Sequence, residues 1–387
     1  MSVERLDLVI FGATGFTGKY TVKKVASLAK NYAYSWGIAG RRKEALEMVL
    51  REFAPDFEGI PIIQADSRDE ESLLNMAKQA KVVINCCGPF RFYGEQVIRA
   101  CIKARSHHVD ISGEPQYMEK IQLEYDRAAE EAEVYVVSAC GFSSIPTDMG
   151  ISFVQHQFQG VVNSIDIYFN FWRTEKFTRR SAAMHFGTWE SAVHTLAQKS
   201  ELRDIRSKLF PRKLPGFEPS VKKKPFIHQS SVVRGWSTEF PSADRSVCRR
   251  TQRFLHDRLN HRPVQIQTYI TFKSLVQMIF IAILGGLMLL LSKFRKGVEL
   301  LLKYPKVFSG GYATNEGPDM EYLDQSGYTI KFVARGWSDD TPQKMNSPNK
   351  TMIARVQGSL SEYSPNGIAL LMSALMILHE SDKMPSK

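Results

Sequence analysis

The stretch Leu8-Val-Ile-Phe-Gly-Ala-Thr-Gly-Phe-Thr-Gly18 decides the fold of the first third of this chain. An apolar run stops at three glycines spaced three residues apart, and a lysine-rich segment with helical spacing follows. That order predicts a strand, a tight turn and a helix. Glycine at the turn lets a pyrophosphate reach the backbone amides of the turn and of the helix N-terminus, because no Cβ intervenes. The residues that we expect to form this dinucleotide cradle are Gly12, Ala13, Thr14, Gly15, Phe16 and Thr17.

A phosphate-binding P-loop is the alternative interpretation of these glycines. It would require glycine at Ala13 and Ser or Thr at Tyr20, and the chain has neither. The glycine pattern therefore favours a dinucleotide over a simple nucleoside triphosphate.

The composition is that of a globular protein with two domains. The chain has 387 residues, 43% of them apolar, and a formal charge of +11 that would suit an acidic partner such as anionic lipid or a phosphorylated cofactor. No recognisable nucleic-acid module accompanies the basic residues, so we expect no nucleic-acid partner. Five cysteines without C-x-x-C spacing predict neither a disulfide framework nor a zinc site. The first residues lack the features of a signal peptide, so we expect a protein that is not secreted.

Two arginines follow the second predicted strand, Ser35–Gly40. A cofactor with a free ribose hydroxyl would usually meet Asp or Glu at this point, but Arg41 and Arg42 stand there. Guanidinium groups bind a 2′-phosphate bidentately, so the pair favours NADP, with NAD as the alternative. The other interpretation is that both arginines only solvate the start of the next helix, where positive charge opposes the helix dipole.

Later strand ends complete the predicted cofactor site. The strand Ile60–Ala65 ends at Asp66, which we expect either to contact the adenine or to orient its own loop. Ser67 with Glu70 predicts a capping box for the next helix. The following apolar strand ends in small residues, against which the nicotinamide half of the cofactor can lie. These residues are Cys87, Gly88 and Pro89.

Strands that alternate with helical segments set the fold class. Two more predicted strands, His108–Ser112 and Val134–Ser138, also run into polar or glycine-rich turns. This is typical of a doubly wound parallel sheet, whose ligands bind at the carboxyl ends of the strands. We predict an α/β protein with an N-terminal Rossmann domain over 1–148, a second, mixed α/β domain over 149–358, and a C-terminal helix over 359–387 that packs back on the first domain.

Longer motifs resemble one family. Gly88-Pro-Phe-Arg-Phe-Tyr-Gly94, Asp110-Ile-Ser-Gly-Glu-Pro115 and Gly141-Phe-Ser-Ser-Ile-Pro146 closely resemble motifs of the saccharopine dehydrogenase-like oxidoreductases. His185-x-Gly187-Thr-Trp189-x-Ser191 and Arg249-Arg-Thr-Gln-Arg253 are similar to that family's second domain. The resemblance covers nearly the whole chain and implies a nicotinamide cofactor between two domains. It also implies association with lipid droplets or membranes. Relatives of the family range from saccharopine reductases to enoyl reductases of glycolipid synthesis, so the resemblance does not identify the substrate.

The chain departs from the family pattern at three places. Ser143 stands where the family has Asp, Ala104-Arg105-Ser106 replaces an expected Asn-Gly-Ala, and a Gly-Gly-Val-x-Thr-Pro segment expected near the C-terminus does not occur before Lys387. The last departure leaves open how well the C-terminal elements close over the first domain.

An apolar run from Leu275 to Leu291 distinguishes the second domain. Its 17 residues include only Gln277 as a polar side chain, and they are at the lower edge of the roughly 17 to 25 that a spanning helix needs. Three arrangements fit: a spanning helix, a hairpin bent at Gly285-Gly286 that enters a single monolayer, or a helix buried in the domain. The cations that flank the run, Lys273, Lys293, Arg295 and Lys296, favour a membrane surface. The segment Ser207–Lys224 is expected to be an exposed basic loop.

Hydride transfer needs a polarised acceptor and often a proton donor. The catalytic candidates at strand ends are Tyr93, Asp110 and Glu114, although each also suits a structural role in a turn or at a helix N-terminus. Arg91 could bind an anionic group of the substrate, and His185 and Trp189 could face the cleft from the second domain. The histidines have no spacing suited to a metal, so none is expected.

Two functional hypotheses follow. The first is an NADP-dependent oxidoreductase that reduces a hydrophobic or lipid-linked substrate, in lipid or glycolipid metabolism, at a lipid droplet or cytosol-facing membrane, with the mitochondrion as the alternative location. The second is a non-catalytic lipid-droplet protein that keeps a nucleotide-binding fold. A saccharopine reductase is a weaker third option. Its substrate is a soluble zwitterion, and an enzyme acting on it would not need an apolar segment that binds lipid. Self-association as a homodimer is left open.

Overall fold

The N-terminal part of the chain forms one parallel sheet. The computed structural model describes residues 4–174, 181–216, 218–339 and 347–385. The strands are β1 Leu6–Phe11, β2 Trp36–Gly40, β3 Ile62–Gln64, β4 Ala80–Asn85, β5 His107–Asp110 and β6 Val136–Val137. The helices between and after them are α1 Phe16–Tyr32, α2 Lys43–Phe53, α3 Glu70–Lys78, α4 Phe90–Ala104, α5 Pro115–Glu131 and α6 Ser144–Gln157. The strand order β3-β2-β1-β4-β5-β6 is that of a Rossmann sheet, which confirms the predicted fold of this part.

Both faces of this sheet are buried. Leu8 and Ile10 point into one core, which contains residues of α1 and α2, while Val9 and Phe11 point into another, which contains residues of α3 and α4. A strand that is covered on both sides reads as a continuous apolar run, because side chains alternate between faces. The glycine turn lies where β1 leaves the sheet at its carboxyl end.

The second part of the chain is built on a mixed sheet. Its main strands are β7 Gly160–Arg173, β9 Trp236–Glu239, β10 Gln265–Phe272, β12 Ser326–Ser338 and β13 Lys350–Ser359, and a separate pair is β8 Met184–His185 with β11 Ala313–Thr314. The main order is β13-β12-β7-β10-β9, with β7 and β10 parallel and the other neighbours antiparallel. A second, mixed α/β part is therefore confirmed. The division at residue 148 stays a prediction, and α6 runs through that position.

Eight helices in the described part accompany this sheet. They are α7 Phe186–Ala197, α8 Lys199–Leu209, α9 Asp244–Leu259, α10 Leu275–Leu291, α11 Arg295–Lys303, α12 Pro305–Phe308, α13 Met320–Asp324 and α14 Ser364–His379. The helix α14 lies against α1, and Leu370, Leu371 and Ala374 are fully buried in the same core as Leu8 and Ile10.

Two local expectations are wrong. The helix α3 is capped by Asp69, whose carboxylate accepts hydrogen bonds from the backbone amides of Glu71 and Ser72, so Ser67 does not form the predicted capping box. A carboxylate at the N-cap also interacts with the helix dipole, which favours Asp69 over a hydroxyl two residues earlier. The basic segment predicted as a loop from Ser207 is helical up to Leu209, at the end of α8.

The apolar run is a single helix on the protein surface. Leu275–Leu291 forms α10 without a break at Gly285-Gly286, so the hairpin alternative is wrong. Only Met278 and Met288 of this helix are buried, so a helix enclosed in the domain is wrong as well. In the described ranges, we find no helix whose length and apolar content would let it cross a membrane.

We expect Gly18→Ala to destabilise the protein by about 1–3 kcal/mol or more, because overpacking against rigid backbone has that cost. A Cβ at Gly18 would lie 2.2 Å from the carbonyl oxygen of Gly12. The matched control is Gly285→Ala in α10, where a Cβ would meet nothing within 4 Å. Urea unfolding of both variants measures the difference, and equal stabilities would contradict the close contact.

Candidate functional site

The glycine turn forms a cradle without side chains. Gly12 has a φ of 78°, and a Cβ there would lie 3.0 Å from the amide nitrogen of Cys87, at the end of β4. The N-cap of α1 is Gly15, and the first turn of α1 has neither a side-chain cap nor an acidic residue. The amides at the start of α1 are therefore free of side-chain caps and unopposed by negative charge, as a pyrophosphate requires. These features fit a bound dinucleotide.

Four predicted cofactor residues meet at the ends of β2, β3 and β4. Arg41 and Arg42 are exposed, and Arg42 is the N-cap of α2 without any side-chain cap. The carboxylate of Asp66 accepts a hydrogen bond of 3.0 Å from the amide of Arg68, so it orients its own loop. Burial raises the pKa of the Cys87 thiol, and the nearby charges of Arg41 and Asp66 act on it in opposite directions. Arg41 and Arg42 therefore lie next to the cradle.

Asp110 is fully buried in a set of hydrogen bonds. Its Oδ1 accepts from the amides of Ser112 and Ala139 at 2.9 and 3.1 Å, and its Oδ2 accepts from the hydroxyls of Tyr117 and Ser138 at 3.0 Å each. Burial raises the pKa of this carboxyl, while the four donors lower it. The contacts tie β5 to α5 and to the segment after β6. The acid–base role of Asp110 stays a prediction.

Glu114 joins the two parts of the molecule. Its carboxylate accepts hydrogen bonds from the amides of Phe90 and Arg91 at 2.9 and 3.1 Å, at the start of α4. The hydroxyl of Ser191 in α7 donates to the same carboxylate at 2.8 Å. Burial raises the pKa of Glu114, and these three donors and Arg91 lower it. The observed contacts are structural, so proton transfer by Glu114 also stays a prediction.

The other candidates on α4 lie close to this junction. Tyr93 is half-buried in the first turn of α4, with its ring near that of Phe92. The guanidinium of Arg91 donates to the carbonyl of His194 at 3.1 Å and to the carboxylate of Glu201 at 2.9 Å. Arg91 therefore holds α7 and α8 against the first domain, and binding of a substrate anion by it stays a prediction.

His185 brings the second domain onto the cradle. Its ring stacks on that of Phe16 at 5.0 Å between centroids, and its Nδ1 accepts from the amide of Gly187 at 3.1 Å. Burial lowers the pKa of His185, which favours the neutral imidazole. Trp189 has a different place: its indole donates to the carbonyl of Leu301 in α11 at 2.9 Å. Successive helix residues are about 100° apart, so Trp189 and Ser191 lie on opposite sides of α7.

Sequence reasoning missed two residues, one beside the cradle and one near Glu114. Tyr363 is half-buried, its hydroxyl is hydrogen bonded to the side chain of Thr17, and its ring is edge-on to Phe16 at 5.0 Å. Glu190 in α7 is half-buried, and burial together with the charge of Glu114 raises the pKa of its carboxyl. Within the described residues, no hydrogen bond engages that carboxylate. No local sequence motif marks either residue, because tertiary packing brings Tyr363 to the cradle and Glu190 near Glu114.

The position of Ser143 shows how the chain accommodates its departure from the family motif. Ser143 has a φ of 82°, a conformation that is strained for a residue other than glycine. Its hydroxyl donates to the carboxylate of Asp244, a residue of α9 that also accepts from Ser144 and Ser242. A carboxylate therefore stands one hydrogen bond away from the place where the family has Asp.

These features define an α/β protein that has an N-terminal Rossmann-type parallel sheet with a glycine turn suited to a dinucleotide, followed by a second, mixed sheet. Residues 8–137 match the family model described as the saccharopine dehydrogenase NADP binding domain. The chain is 34% identical over 388 residues to the saccharopine dehydrogenase-like oxidoreductase of Homo sapiens, which covers 98% of this chain and 90% of that protein. It therefore belongs to the saccharopine dehydrogenase-like oxidoreductases. The matched domain also confirms NADP as the cofactor.

Two further comparisons bear on location and fold. The chain is 31% identical over 395 residues to the lipid droplet localized protein of Caenorhabditis elegans, covering 99% of this chain and 92% of that one. The apo saccharopine dehydrogenase (L-Glu forming) of Saccharomyces cerevisiae is similar in structure, with a TM-score of 0.52 over 98% of this chain and 93% of that one. Its sequence identity is 13%, so this likeness shows the fold alone.

We expect Arg41→Gln with Arg42→Gln to raise the Kd for NADPH by about 10- to 100-fold, because charge-assisted hydrogen bonds to the 2′-phosphate are lost. The Kd for NADH should change by less than about twofold, since NADH has no such phosphate. Arg51→Gln, an exposed arginine in the last turn of α2, is the matched control. Fluorescence titration of the wild type and both variants with NADPH and with NADH measures these affinities, and a parallel loss of NADH affinity would contradict the assignment.

Proposed function

We propose that this protein is an NADPH-dependent oxidoreductase that transfers a hydride to a hydrophobic or lipid-linked carbonyl, imine or enoyl group at the surface of a lipid droplet or membrane. The observation that carries the proposal is the position of α7. One side of this helix contacts the first domain through Ser191, and its N-cap His185 stacks on Phe16 at the cradle. Its other side packs through Trp189 in a buried cluster with Met288 of α10 and Leu301 of α11, two helices whose remaining side chains include many exposed apolar ones. A substrate that leaves lipid is thus one helix away from the cofactor.

The residues around the cradle have different proposed roles in hydride transfer. NADPH supplies the hydride when it is bound. Phe16, His185 and Tyr363 cover the start of α1 with aromatic rings and exclude water there. We propose Glu190 as the proton donor, because it lies in α7 next to Ser191, close enough to Glu114 for the two charges to interact, and no described residue is hydrogen bonded to its carboxyl group.

The lipid surface is assigned to what we call the apolar platform. It consists of the exposed apolar side chains of α10, α11, α12 and the turn before α11, namely Val276, Ile279, Phe280, Ile283, Leu287, Leu289, Leu290, Phe294, Leu300, Tyr304 and Val307. Val276, Ile283 and Val307 are 76%, 63% and 68% exposed. A contiguous apolar surface of this kind marks an interaction site rather than ordinary protein surface.

The turns between these helices keep the platform together. A Cβ at Gly297 would lie 2.1 Å from the carbonyl oxygen of Leu291, so α11 starts in close contact with the end of α10. Gly310, with a φ of 61°, lies against Phe280 and Leu284 and returns the chain to α10. The three helices therefore present one surface.

Cations accompany the second half of the platform and favour lipid as its partner. Lys293, Arg295, Lys296, Lys303 and Lys306 accompany the apolar side chains, with Glu299 as the one acidic residue between 293 and 306. Such a rim attracts anionic headgroups. It would repel the same rim on a second copy of the chain, so self-association through this surface is disfavoured. The name of the Caenorhabditis elegans relative supports the same location.

The non-catalytic alternative has weaker support. It relied on Ser143 in place of the family's Asp, but the carboxylate of Asp244 accepts a hydrogen bond from the hydroxyl of Ser143 and so lies next to that position. The helix α14 also packs against α1 and covers this face of the first domain.

We expect serine at Ile279, Ile283, Leu287 and Leu289 to abolish flotation of the protein with anionic lipid vesicles, because apolar burial drives insertion. The control carries serine at four exposed apolar positions elsewhere, Met48, Met149, Phe226 and Ile353. It should float like the wild type. Loss of flotation in the control, or its persistence in the platform variant, would contradict the assignment of this surface.

The reaction can be tested without knowing the substrate. We expect protein supplied with NADPH carrying deuterium at either face of C4 to transfer that label into the chloroform-soluble fraction of a membrane lipid extract. The Arg41→Gln/Arg42→Gln variant, at the same cofactor concentration, should transfer less. Label in the aqueous fraction alone would contradict a lipid-linked substrate. No transfer, although NADPH binds, would favour the non-catalytic alternative.

A further inference from the structure

A cavity of about 310 Å³ lies in the second domain, away from the cradle and the platform. We call it the β10-edge pocket, because α9 and the first half of β10 form two of its sides. Arg245, Arg249 and Gln252 share one face of α9 and line it. Leu214, Val221 and Lys223, from the connection between α8 and β9, form the third side.

The pocket exists because β9 covers only part of β10. The register pairs β9 with residues 269–272 of β10 and leaves residues 265–267 without a strand on that side among the described residues. The side chain of Gln265 holds the connection there instead: it accepts from the amide of Val221 at 2.9 Å and donates to the carbonyl of Pro219 at 3.0 Å. Gln252 is fixed as well, because it accepts from the amide of Val264 at 3.0 Å. The walls are therefore set by hydrogen bonds.

Positive charge in the pocket is not balanced. Arg245 pairs through Nη1 with Glu239 at 3.1 Å, while its Nε is buried without a partner. Within the described residues, no carboxylate pairs with Arg249 or Lys223. Three cations and one carboxylate leave a local charge of +2. Arg249 lies at the exposed rim of the pocket. The pKa of its guanidinium is lowered by partial burial of that group and by the like charges of Arg245 and Arg206.

The nearest acidic residue on the neighbouring helix cannot supply the missing charge. Glu119 of α5 is buried and accepts two hydrogen bonds from the guanidinium of Arg206, at 2.8 and 2.7 Å, and another from Ser246. The charge of Glu119 raises the pKa of Arg249, but the two side chains do not form an ion pair. An anion from outside the chain is the remaining source of balance.

The walls restrict what this anion can be. Val221, Val264 and Ile266 give the pocket an apolar side next to its cations. A dianion matches the local charge, and phosphate monoesters carry about −1.5 to −2 at neutral pH. We propose that the β10-edge pocket binds a phosphate monoester with a short apolar body. Arg245 and Arg249 contact the phosphate, and the apolar body lies against β10.

The ligand comes from the aqueous phase. The pocket lies at the first half of β10, and α10 follows the other end of that strand. Strands rise roughly 3.3 Å per residue, so Ile266 lies roughly 20 Å from Phe272, where the strand ends. The headgroups that contact the platform are therefore separated from this pocket by the length of the strand.

Calorimetric titration of the NADPH-saturated full-length chain with hexyl phosphate tests the proposal, because saturation fills the cradle. We expect one saturable site, with inorganic phosphate binding at least about tenfold more weakly because it lacks the apolar body. Arg245→Gln and Arg249→Gln should each weaken hexyl phosphate at least about tenfold. Leu214→Ser should weaken hexyl phosphate but not inorganic phosphate.

The control is Arg258→Gln, at the last turn of the same helix and outside the pocket, which should bind like the wild type. Unchanged binding in both Arg245→Gln and Arg249→Gln would overturn the proposal, as would absence of binding to the wild type. Equal affinity for inorganic and hexyl phosphate would show an anion site without an apolar part and would overturn it too. Binding to phosphatidic acid vesicles that depends on Arg249 and survives in the platform variant would place the phosphate source in lipid and contradict an aqueous ligand.

Discussion

Gly18 has to lie against the carbonyl oxygen of Gly12, and the rest of the site depends on that contact. A Cβ would stand 2.2 Å from the oxygen, so only glycine lets α1 begin directly behind the turn. The start of α1 then fixes Phe16, which contacts His185 of the second domain and Tyr363 near the C-terminus. Elements that are distant in sequence therefore meet at the cradle because one helix approaches one turn without a side chain between them.

The carboxylates of Asp110, Glu114 and Glu190 differ in how many hydrogen bonds they accept. Asp110 and Glu114 are engaged by four and three hydrogen-bond donors, respectively, which offset the cost of burying them and hold the strand ends in place. Glu190 has a raised pKa as well, but no described donor engages it. We therefore propose Glu190, rather than Asp110 or Glu114, for the proton transfer, because the oxygens of the other two carboxylates are already engaged in structural hydrogen bonds.

The sequence predicted those features that depend on local patterns. Apolar strands, the glycine turn and the arginines after β2 are local signals, and the parallel sheet follows from their order. The predicted capping box of Ser67 and Glu70 is wrong, because both Ser67 and Asp69 are suitable N-cap residues and the backbone geometry, which starts α3 after Asp69, determines which one caps the helix. Tyr363 and Glu190 could not be found from sequence, because the packing of the C-terminal segment brings Tyr363 to the cradle and the packing of α7 brings Glu190 near Glu114.

The exposure of α10 was not predictable from its composition, since a buried, a spanning and a surface helix would have the same apolar sequence. The contacts of α10 favour an orientation parallel to the lipid surface. Met288 lies in the cluster that contains Trp189 and Leu301, and Met278 is also buried. A helix that turned to cross a bilayer would break these contacts, and at 1.5 Å per residue it would be only about 25 Å long. In the proposed association with lipid, a helix in the plane of a monolayer keeps both methionines packed, buries the platform and leaves the lysines that flank α10 among the headgroups.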